Sequence, residues 1–189
     1  MSLQPSLPEA RPRERRQRLF FALWPDDAVR ARIDELARQA AGGNGRAVAG
    51  HNHHITMVYI GPASAEMRDC LCAQADVIRC PPFELRLDQI GYWSRPRVVW
   101  LASSEVPAPL ASLYRELSER LMKSCGYQPE TRPFRPHATL VRKARRKPDM
   151  AVNEPVVWAV DRLCLVESLT DPAGVRYEVQ RSWPLQSAP

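Results

Sequence analysis

The sequence has no long hydrophobic run. Its longest uninterrupted apolar stretch is the six residues from Leu19 to Trp24, whereas a membrane-spanning helix needs about 18 or more. The arginine-rich first residues are not followed by an apolar segment of signal-peptide length or by a small-residue cleavage site. These absences exclude a transmembrane helix and predict a protein of the cytoplasm.

The cysteines show no pattern of a disulfide framework. The five cysteines are odd in number and scattered along the 189 residues, a pattern typical of reduced thiols in a cytosolic protein. We therefore expect no disulfide framework among the cysteines, which are Cys70, Cys72, Cys80, Cys125 and Cys164.

Metal and cofactor motifs are also missing. A zinc site would have to combine three histidines with two cysteines, but neither group has a standard zinc spacing and the two lie on separate predicted elements. The glycine-rich stretch 42–45 lacks the Lys-Ser/Thr of a phosphate-binding loop. We predict neither a metal site nor a cofactor. The zinc ligands considered are His51, His53, His54, Cys70 and Cys72.

Positive charge is in excess. The chain has 27 Lys+Arg against 21 Asp+Glu, a net charge of +6, which suits a polyanionic partner without identifying one. Residues 1–17 contain three prolines and four arginines without hydrophobic periodicity, and we predict a flexible basic tail there. Residues 18–189 are expected to form a single domain and a monomer.

Hydrophobic periodicity predicts more strands than helices. The expected helices lie between Asp27 and Gly42, between Ser64 and Pro81, and over residues 108–125. Strands often follow one another directly, which predicts an α+β fold with mixed or antiparallel sheets. Gly61-Pro62 is expected to end the second strand. The predicted strands cover residues 18–24, 53–60, 83–90, 97–102, 136–141, 156–166 and 175–183.

One short motif occurs twice. His54-Ile-Thr-Met57 and His137-Ala-Thr-Leu140 are both His-x-Thr-hydrophobic, and both fall in predicted strands. With four histidines and four threonines in the chain, chance would give only roughly 0.08 such pairs. On a strand, residues two positions apart face the same side, so each histidine stands beside its threonine. The repetition points to a shared chemical role.

In-line displacement at phosphorus is the chemistry that needs this arrangement. One imidazole removes a proton from the nucleophile and another delivers a proton to the departing oxygen. An unperturbed pKa of about 6.5 lets the neutral and protonated forms of histidine coexist near neutrality. A threonine hydroxyl donates to a non-bridging phosphate oxygen. The motif therefore predicts phosphate-ester chemistry without a metal.

Further segments surround the two motifs. They include Arg18-Leu-Phe-Phe-Ala-Leu23, Val58-Tyr-Ile-Gly61, Phe134-Arg-Pro-His-Ala-Thr-Leu-Val-Arg142 and Trp183-Pro-Leu185. With them the chain resembles the two-histidine (2H) phosphoesterases, and within these the bacterial and archaeal RNA 2′,3′-cyclic phosphodiesterases, also called 2′-5′ RNA ligases. The resemblance covers nearly the whole chain.

The resemblance implies a fold, an activity and a set of roles. The fold is bilobal, with two mixed or antiparallel sheets related by a pseudo-twofold axis, helices on the outer faces and a central groove. The activity is hydrolysis of RNA-terminal or nucleoside 2′,3′-cyclic phosphates to 2′-phosphates, with reverse 2′-5′ RNA ligation as a further reaction. At matching positions His54 would be the proton donor and His137 the proton acceptor, while Thr56, Thr139 and Arg142 would bind phosphate.

Some nearby features have no assigned role. His51 and His53 crowd the first motif, where the family usually has an uncharged stretch, and this could alter local proton chemistry. The basic run 142–147 follows the second motif, where an RNA backbone would run, although such runs are more often solvated loops. Tyr92 and Trp93 are either base-stacking residues or caps on the core.

The residues leave two other functions open. One is a module that binds a nucleotide or RNA in the same groove without turnover. The other is a phosphodiesterase for a different cyclic phosphate, such as one on an ADP-ribose derivative, or for a 2′-5′-linked nucleotide. The presence of both histidines and both threonines favours an enzyme, because binding alone needs no proton transfer. The motif recognises the phosphate, and the groove walls recognise the rest of the substrate, so the motif does not distinguish between these substrates.

Overall fold

The computed structural model describes residues 16–172 and 174–187, so the predicted tail lies outside the described residues up to residue 15. The described helices are α1 (Asp27–Ala41), α2 (Ala65–Asp76) and α3 (Ala108–Cys125), with a short 3-10 helix at Gly50–Asn52. The described strands are β1 (Gln17–Leu23), β2 (Arg46–Ala47), β3 (Ile55–Ala63), β4 (Phe83–Leu87), β5 (Gln89–Trp93), β6 (Val98–Ala102), β7 (His137–Arg142), β8 (Val156–Val160), β9 (Arg162–Asp171) and β10 (Gly174–Pro184).

Most of these strands form one sheet. Its order is β10-β9-β1-β3-β7-β6-β5, with β2 pairing beside the end of β7, and β4 pairs with β8 in a separate two-stranded sheet. Each of these described pairs is antiparallel. The two halves of the large sheet meet at one residue pair, Ile55 on β3 and Ala138 on β7. The predicted α+β fold with antiparallel sheets is confirmed, and the halves are joined through this pair.

The helices cross between the two halves. Helix α1 follows β1 in the chain but packs against β7, whereas α3 follows β6 and packs against β3. Helix α2 lies beside α3. Each half of the large sheet is therefore covered by a helix that the other half supplies, as expected where antiparallel pairing relates the two central strands by a local twofold axis.

The predicted apolar stripes hold the helices in place. Asp26 caps the start of helix α1, because its carboxylate accepts a hydrogen bond from the Val29 N–H at 2.8 Å. Helix α3 has the predicted bounds and is followed by the cap residue Gly126, whose φ of 68° lies in the left-handed region. No helix among the described residues is both long and apolar enough to cross a membrane. The buried stripes are Val29, Ile33, Leu36 and Ala40 on α1 and Leu110, Leu113, Leu117 and Leu121 on α3.

Two long predicted strands are each divided. The segment 83–90 breaks at Asp88 into β4 and β5, and the segment 156–166 breaks at Asp161 into β8 and β9. In both cases the first piece joins the small sheet and the second joins the large one. At the first break, Ser104 donates from its N–H and its hydroxyl to the Asp88 carboxylate. A single polar residue thus marks a change of sheet that periodicity alone does not reveal.

Strand boundaries also differ from prediction, and one short strand was not predicted. Strand β3 passes through Gly61-Pro62 and ends at Ala63, because β1 pairs with it over that whole length. Strand β1 begins at Gln17, which the sequence placed in the tail. The two-residue strand β2 was not predicted, since it is too short to show a period of two.

The expectation of five reduced cysteines is wrong at two positions. Cys70 on α2 and Cys125 at the end of α3 form a disulfide. The side-by-side packing of α2 and α3 brings together two residues that are 55 positions apart, a proximity that spacing along the sequence does not show. Cys72, Cys80 and Cys164 are free thiols.

Candidate active site

The two His-x-Thr motifs lie side by side at the centre of the large sheet. Ile55 and Ala138, the middle residues of the motifs, pair with each other and are fully buried. Because side chains alternate along a strand, the flanking histidines and threonines lie on the other face of the sheet. The structure brings all of the predicted site residues to one cavity of about 210 Å³, whose lining includes His54, Thr56, His137, Thr139 and Arg142.

The same kind of hydrogen bond orients both catalytic candidates. His54 Nδ1 lies 2.7 Å from the Asn52 carbonyl oxygen, and His137 Nδ1 lies 2.7 Å from the Arg135 carbonyl oxygen. Since a carbonyl oxygen can only accept, each Nδ1 carries a proton and donates it. In the neutral ring the lone pair is therefore on Nε2. Each imidazole is set to exchange a proton at Nε2.

The first motif links its histidine to its threonine directly. His54 Nε2 lies 3.0 Å from Thr56 Oγ1. When His54 is neutral, the Thr56 hydroxyl donates to Nε2; when His54 is protonated, Nε2 donates instead. Thr56 can therefore hold the His54 ring in place in either protonation state.

Aromatic rings enclose His54. Its ring centroid lies 4.9 Å from that of Phe20, 5.0 Å from that of Tyr177 and 5.7 Å from that of Trp24. This burial lowers the pKa of His54 to about 4, and the positive charge of Arg142 acts in the same direction. The His54 imidazole is accordingly neutral at pH 7 when no ligand is bound.

His137 has different neighbours. The rings of Trp93 and His137 meet edge to face, with centroids 4.6 Å apart. Burial is the largest influence on the pKa of His137 and lowers it, and the charge of Arg142 lowers it further, whereas the Nδ1 hydrogen bond to the Arg135 carbonyl raises it. Trp93 lies on β5 beside Tyr92, whose hydroxyl donates to the Ala144 carbonyl at 3.2 Å. Trp93 thus contacts a site residue, while Tyr92 packs against the core.

A β-bulge in each motif turns one more side chain toward the central cavity. Pairing with the outer neighbour skips Met57 on β3 and Leu140 on β7, each three residues after the histidine. Two successive buried residues result, Met57-Val58 and Leu140-Val141. Beyond each bulge the alternation is reversed. The fifth residue after each histidine therefore lines the cavity; these residues are Tyr59 and Arg142.

The two residues that follow the bulges carry different chemistry. Arg142 supplies a cation beside both histidines, whereas Tyr59 supplies an exposed aromatic ring that lines every part of the groove. Strict alternation would have placed Arg142 on the face opposite His137. The prediction of Arg142 as a site residue therefore came from the family resemblance and not from the periodicity of the strand. Tyr59 was not identified from the sequence, although it follows His54 by the same number of residues as Arg142 follows His137.

Asn52 is a second residue that sequence reasoning missed. Its buried amide donates from Nδ2 to the Val175 carbonyl at 2.7 Å and accepts at Oδ1 from the Tyr177 N–H at 3.1 Å. Its own carbonyl accepts from His54. Asn52 therefore connects the start of β3 to β10 and holds Tyr177 against the His54 ring. A lone asparagine beside the motif gives no signal of this role.

The two additional histidines of the first motif have different surroundings. His51 is exposed and lines the groove. The side chain of His53 is fully buried, and its Nε2 lies 3.5 Å from Asp34 Oδ1 on α1. Burial lowers the pKa of His53, although Asp34 opposes the shift. His53 thus packs beneath the site as a neutral ring.

The central cavity opens into two larger ones. The cavity beside His137, about 930 Å³, is here called the aromatic arm, and its rings are Tyr59, Tyr92, Trp93, Tyr114, Tyr127 and Phe134. The cavity beside His54, about 730 Å³, is called the basic arm, and its cations are Arg18, Arg46, Arg142, Lys143 and Arg176. Together the three cavities form one groove across the sheet.

No metal-binding cluster accompanies this groove in the part of the chain that the structure describes. Three or more His, Cys, Asp or Glu side chains nowhere converge there as metal ligands would. Of the zinc ligands considered from the sequence, Cys70 is bonded to Cys125.

The chain belongs to the 2′-5′ RNA ligase superfamily, whose sequence model matches residues 25–172. It is 36% identical over 175 residues to the RNA 2′,3′-cyclic phosphodiesterase of Escherichia coli K12, covering 89% of this chain and 97% of that protein. The RNA 2′,3′-cyclic phosphodiesterase of Archaeoglobus fulgidus is 28% identical over 138 residues, covering 71% and 77% of the two chains.

Solved structures agree with these sequence matches. A crystal structure described as a phosphoesterase superposes with a TM-score of 0.85 at 33% identity, over 91% of this chain and 99% of that one. Apo E. coli LigT superposes with a TM-score of 0.84 at 34% identity, over 92% and 99% of the two chains. The fold is thus that of known phosphoesterases.

Proposed function

We propose that this chain is an enzyme that hydrolyses 2′,3′-cyclic phosphates, on RNA ends or on nucleosides, and leaves 2′-phosphates. The observation that carries the proposal is the pair of Nε2 atoms that two equivalent Nδ1 hydrogen bonds orient in one cavity. The names of the E. coli and A. fulgidus relatives support the substrate class. E. coli LigT has also been crystallised with 3′-AMP and with phosphate.

The two histidines would divide the proton transfers between them. His137 Nε2 accepts a proton from water as the water oxygen attacks phosphorus. His54 donates its Nε2 proton to O3′ as the bond from phosphorus to O3′ breaks. One water is consumed, the phosphate stays on O2′, and proton exchange with solvent restores both rings.

The other predicted residues would stabilise the phosphate. Thr56 and Thr139 donate hydroxyl hydrogen bonds to the non-bridging oxygens, and the Arg142 guanidinium adds charged donors to the same oxygens. Tyr59 lines the aromatic arm as well as the rest of the groove, and a nucleobase can stack on its ring. The lining of the central cavity by these side chains supports the roles that the resemblance implies for Thr56, Thr139 and Arg142.

Substrate binding would itself prepare the acid. In the ligand-free site the pKa of His54 is lowered to about 4, so at pH 7 the ring has no proton to give from Nε2. A phosphate anion beside the imidazole favours the charged form and raises its pKa. It also offsets the charge of Arg142, which lowers the pKa. The proton donor is thus charged mainly when substrate is present.

The same pair of histidines would serve ligation. With the 5′-hydroxyl of a second RNA in place of water, His137 would take the hydroxyl proton and the phosphate would become a 2′-5′ diester. Cytosolic location and a monomeric state are further proposals.

A substrate panel tests the proposed function. The purified protein is incubated with 2′,3′-cyclic mononucleotides, an RNA ending in a 2′,3′-cyclic phosphate, a 3′,5′-cyclic nucleotide, a cyclic phosphate of ADP-ribose and a 2′-5′-linked dinucleotide. We expect turnover of the 2′,3′-cyclic nucleotides and of the RNA. Tight binding of the 2′,3′-cyclic nucleotides and the RNA without any turnover would identify a binding module instead. Turnover of only one of the other three compounds would show that the enzyme acts on that class of substrate.

A further inference from the structure

The basic arm is the most strongly charged surface of the groove. Five cations line it, and no carboxylate does so among the described residues. The aromatic arm, by comparison, offsets three arginines with one glutamate and is dominated by rings; its charged residues are Arg95, Arg132, Arg135 and Glu130. The two ends of the groove therefore suit different parts of a nucleic acid.

Two of these cations stand on paired residues of neighbouring strands. Arg46 on β2 is directly opposite Arg142 on β7 in an antiparallel pair, so their side chains project from the same face. Among the described residues, neither guanidinium takes part in an ion pair. Like charges in this relation destabilise a sheet. An anion bound between them would remove that repulsion.

The backbone beyond β7 adds another cation at this point. Lys143 has a φ of 55°, in the left-handed region that favours glycine or asparagine. Its carbonyl accepts from Arg97 Nη2 at 3.2 Å, which helps to fix the turn. The turn thus holds a lysine at the mouth of the basic arm despite an unfavourable backbone conformation.

The arm is continuous with the reaction centre. His54, Thr139 and Arg142 line both the central cavity and the basic arm. Arg18 on β1 and Arg176 on β10 stand on the other wall, and of these two Arg176 is paired with Glu178 at 2.6 Å. A polyanion bound at the centre can therefore extend between two cationic walls.

We propose that the basic arm binds the phosphodiester groups of the RNA strand that precede the cyclic-phosphate nucleotide, so that the protein prefers an RNA end to a cyclic mononucleotide. The inference rests on the proposed function and adds the path that the RNA strand takes through the groove. Single-stranded backbones follow positively charged grooves, while their bases stack on aromatic side chains. The strand accordingly leaves the centre through the basic arm, with the terminal base toward the aromatic arm.

The test compares a long and a short substrate. Steady-state kinetics are measured with adenosine 2′,3′-cyclic phosphate and with an oligoadenylate that ends in the same group, for wild type, Arg46→Ala, Arg46→Lys and Arg145→Ala. Arg145 is an exposed cation of the neighbouring loop that does not line the arm, and it serves as the matched control. Equilibrium binding of a labelled oligoadenylate with a 2′-phosphate end is measured in parallel.

We expect Arg46→Ala to lower kcat/KM for the oligonucleotide about 10-fold more than for the mononucleotide. The effect of Arg46→Lys should lie between those of wild type and Arg46→Ala. The slope of log(kcat/KM) against log[salt] for the oligonucleotide should become shallower by about 0.7, the value for one phosphate contact on a single strand. Arg145→Ala should leave both quantities as in wild type.

Equal losses on both substrates, or an unchanged salt slope, would overturn the inference. If wild type hydrolyses neither compound, the proposed function fails instead. Binding of the 2′-phosphate oligonucleotide then decides about the basic arm alone: weakening by Arg46→Ala but not by Arg145→Ala supports it, and equal binding by the two variants rejects it.

Discussion

Ile55 and Ala138 form the single residue pair that joins the two halves of the large sheet, and each is the middle residue of a His-x-Thr motif. The backbone around the two histidines is therefore nearly equivalent, including the Nδ1 hydrogen bond to the carbonyl two residues earlier. What distinguishes His54 from His137 comes from the side chains around them. Three aromatic rings contact His54, and one faces His137.

Removing either imidazole should abolish most of the activity. We expect His54→Ala and His137→Ala each to lower kcat on a 2′,3′-cyclic nucleotide by at least ~100-fold, the usual contribution of a general acid or base. Circular dichroism and thermal unfolding should show that both variants fold, because neither histidine belongs to the buried core. Turnover close to wild type in either variant would contradict the two-histidine mechanism.

The sequence predicted the centre of the site because alternation on a strand is a local rule. It placed each histidine beside its threonine, and the amphipathic spacing of leucines placed α3 at its observed bounds. The bulges at Met57 and Leu140 were not predictable, since two successive apolar residues are compatible with a regular buried strand as well. The position of Tyr59 depends on such a bulge.

Contacts distant in sequence were also beyond local patterns. At Asp88 and Asp161 the adjacent segments belong to different sheets. Which sheet a segment joins depends on the packing of the whole domain. The same holds for the disulfide between Cys70 and Cys125, which exists because α2 lies beside α3.

The pH dependence of activity should reflect the lowered pKa values of the two imidazoles. One ring must be protonated and the other neutral, so kcat/KM should pass through a maximum between the two apparent pKa values of the free enzyme. Because the pKa of His54 is lowered to about 4 and that of His137 is also lowered, this maximum should lie below pH 6.5. The maximum of kcat should lie at higher pH, since bound phosphate raises both pKa values. A flat kcat/KM profile from about pH 5 to 9 would contradict these assignments.

Arg142 should affect both the rate and the titration of His54. We expect Arg142→Ala to lower kcat by about 100-fold or more, as the loss of one donor to a developing negative charge usually does. Arg142→Lys should recover part of this loss, because it keeps the charge but lacks the two-pronged donor. Since Arg142 lowers the pKa of His54, the alanine variant should raise that pKa, as measured by NMR titration of the ligand-free protein. Arg145→Ala is the control, and a His54 titration that is unchanged in Arg142→Ala would contradict this coupling.

The disulfide should contribute to stability. It closes a loop between positions 55 residues apart, for which loop-closure entropy gives about 4 kcal/mol as an upper expectation. Cys70→Ser combined with Cys125→Ser should lower the free energy of unfolding in urea by about 2–4 kcal/mol, and a reducing agent should do the same to wild type. Cys72→Ser is the matched control, because Cys72 is a free thiol on the same helix. Equal stability of the double variant and wild type would show that the bond is not formed in solution.

The product should be a 2′-phosphate, and the near symmetry of the centre makes this a sharp test of the assigned roles. In-line attack places the water and the leaving oxygen on opposite sides of phosphorus, with one histidine beside each. Since the two motifs are alike in backbone, the choice of leaving oxygen depends on which way the ribose enters, and Tyr59 and Arg142 are the side chains at equivalent positions that differ. The resemblance to the RNA 2′,3′-cyclic phosphodiesterases implies that O3′ leaves, and in that orientation His137 would activate water and His54 would protonate O3′. Phosphorus NMR of the product from a 2′,3′-cyclic mononucleotide should show the 2′-phosphate. A predominant 3′-phosphate would mean that the ribose enters the other way and that His54 and His137 exchange roles.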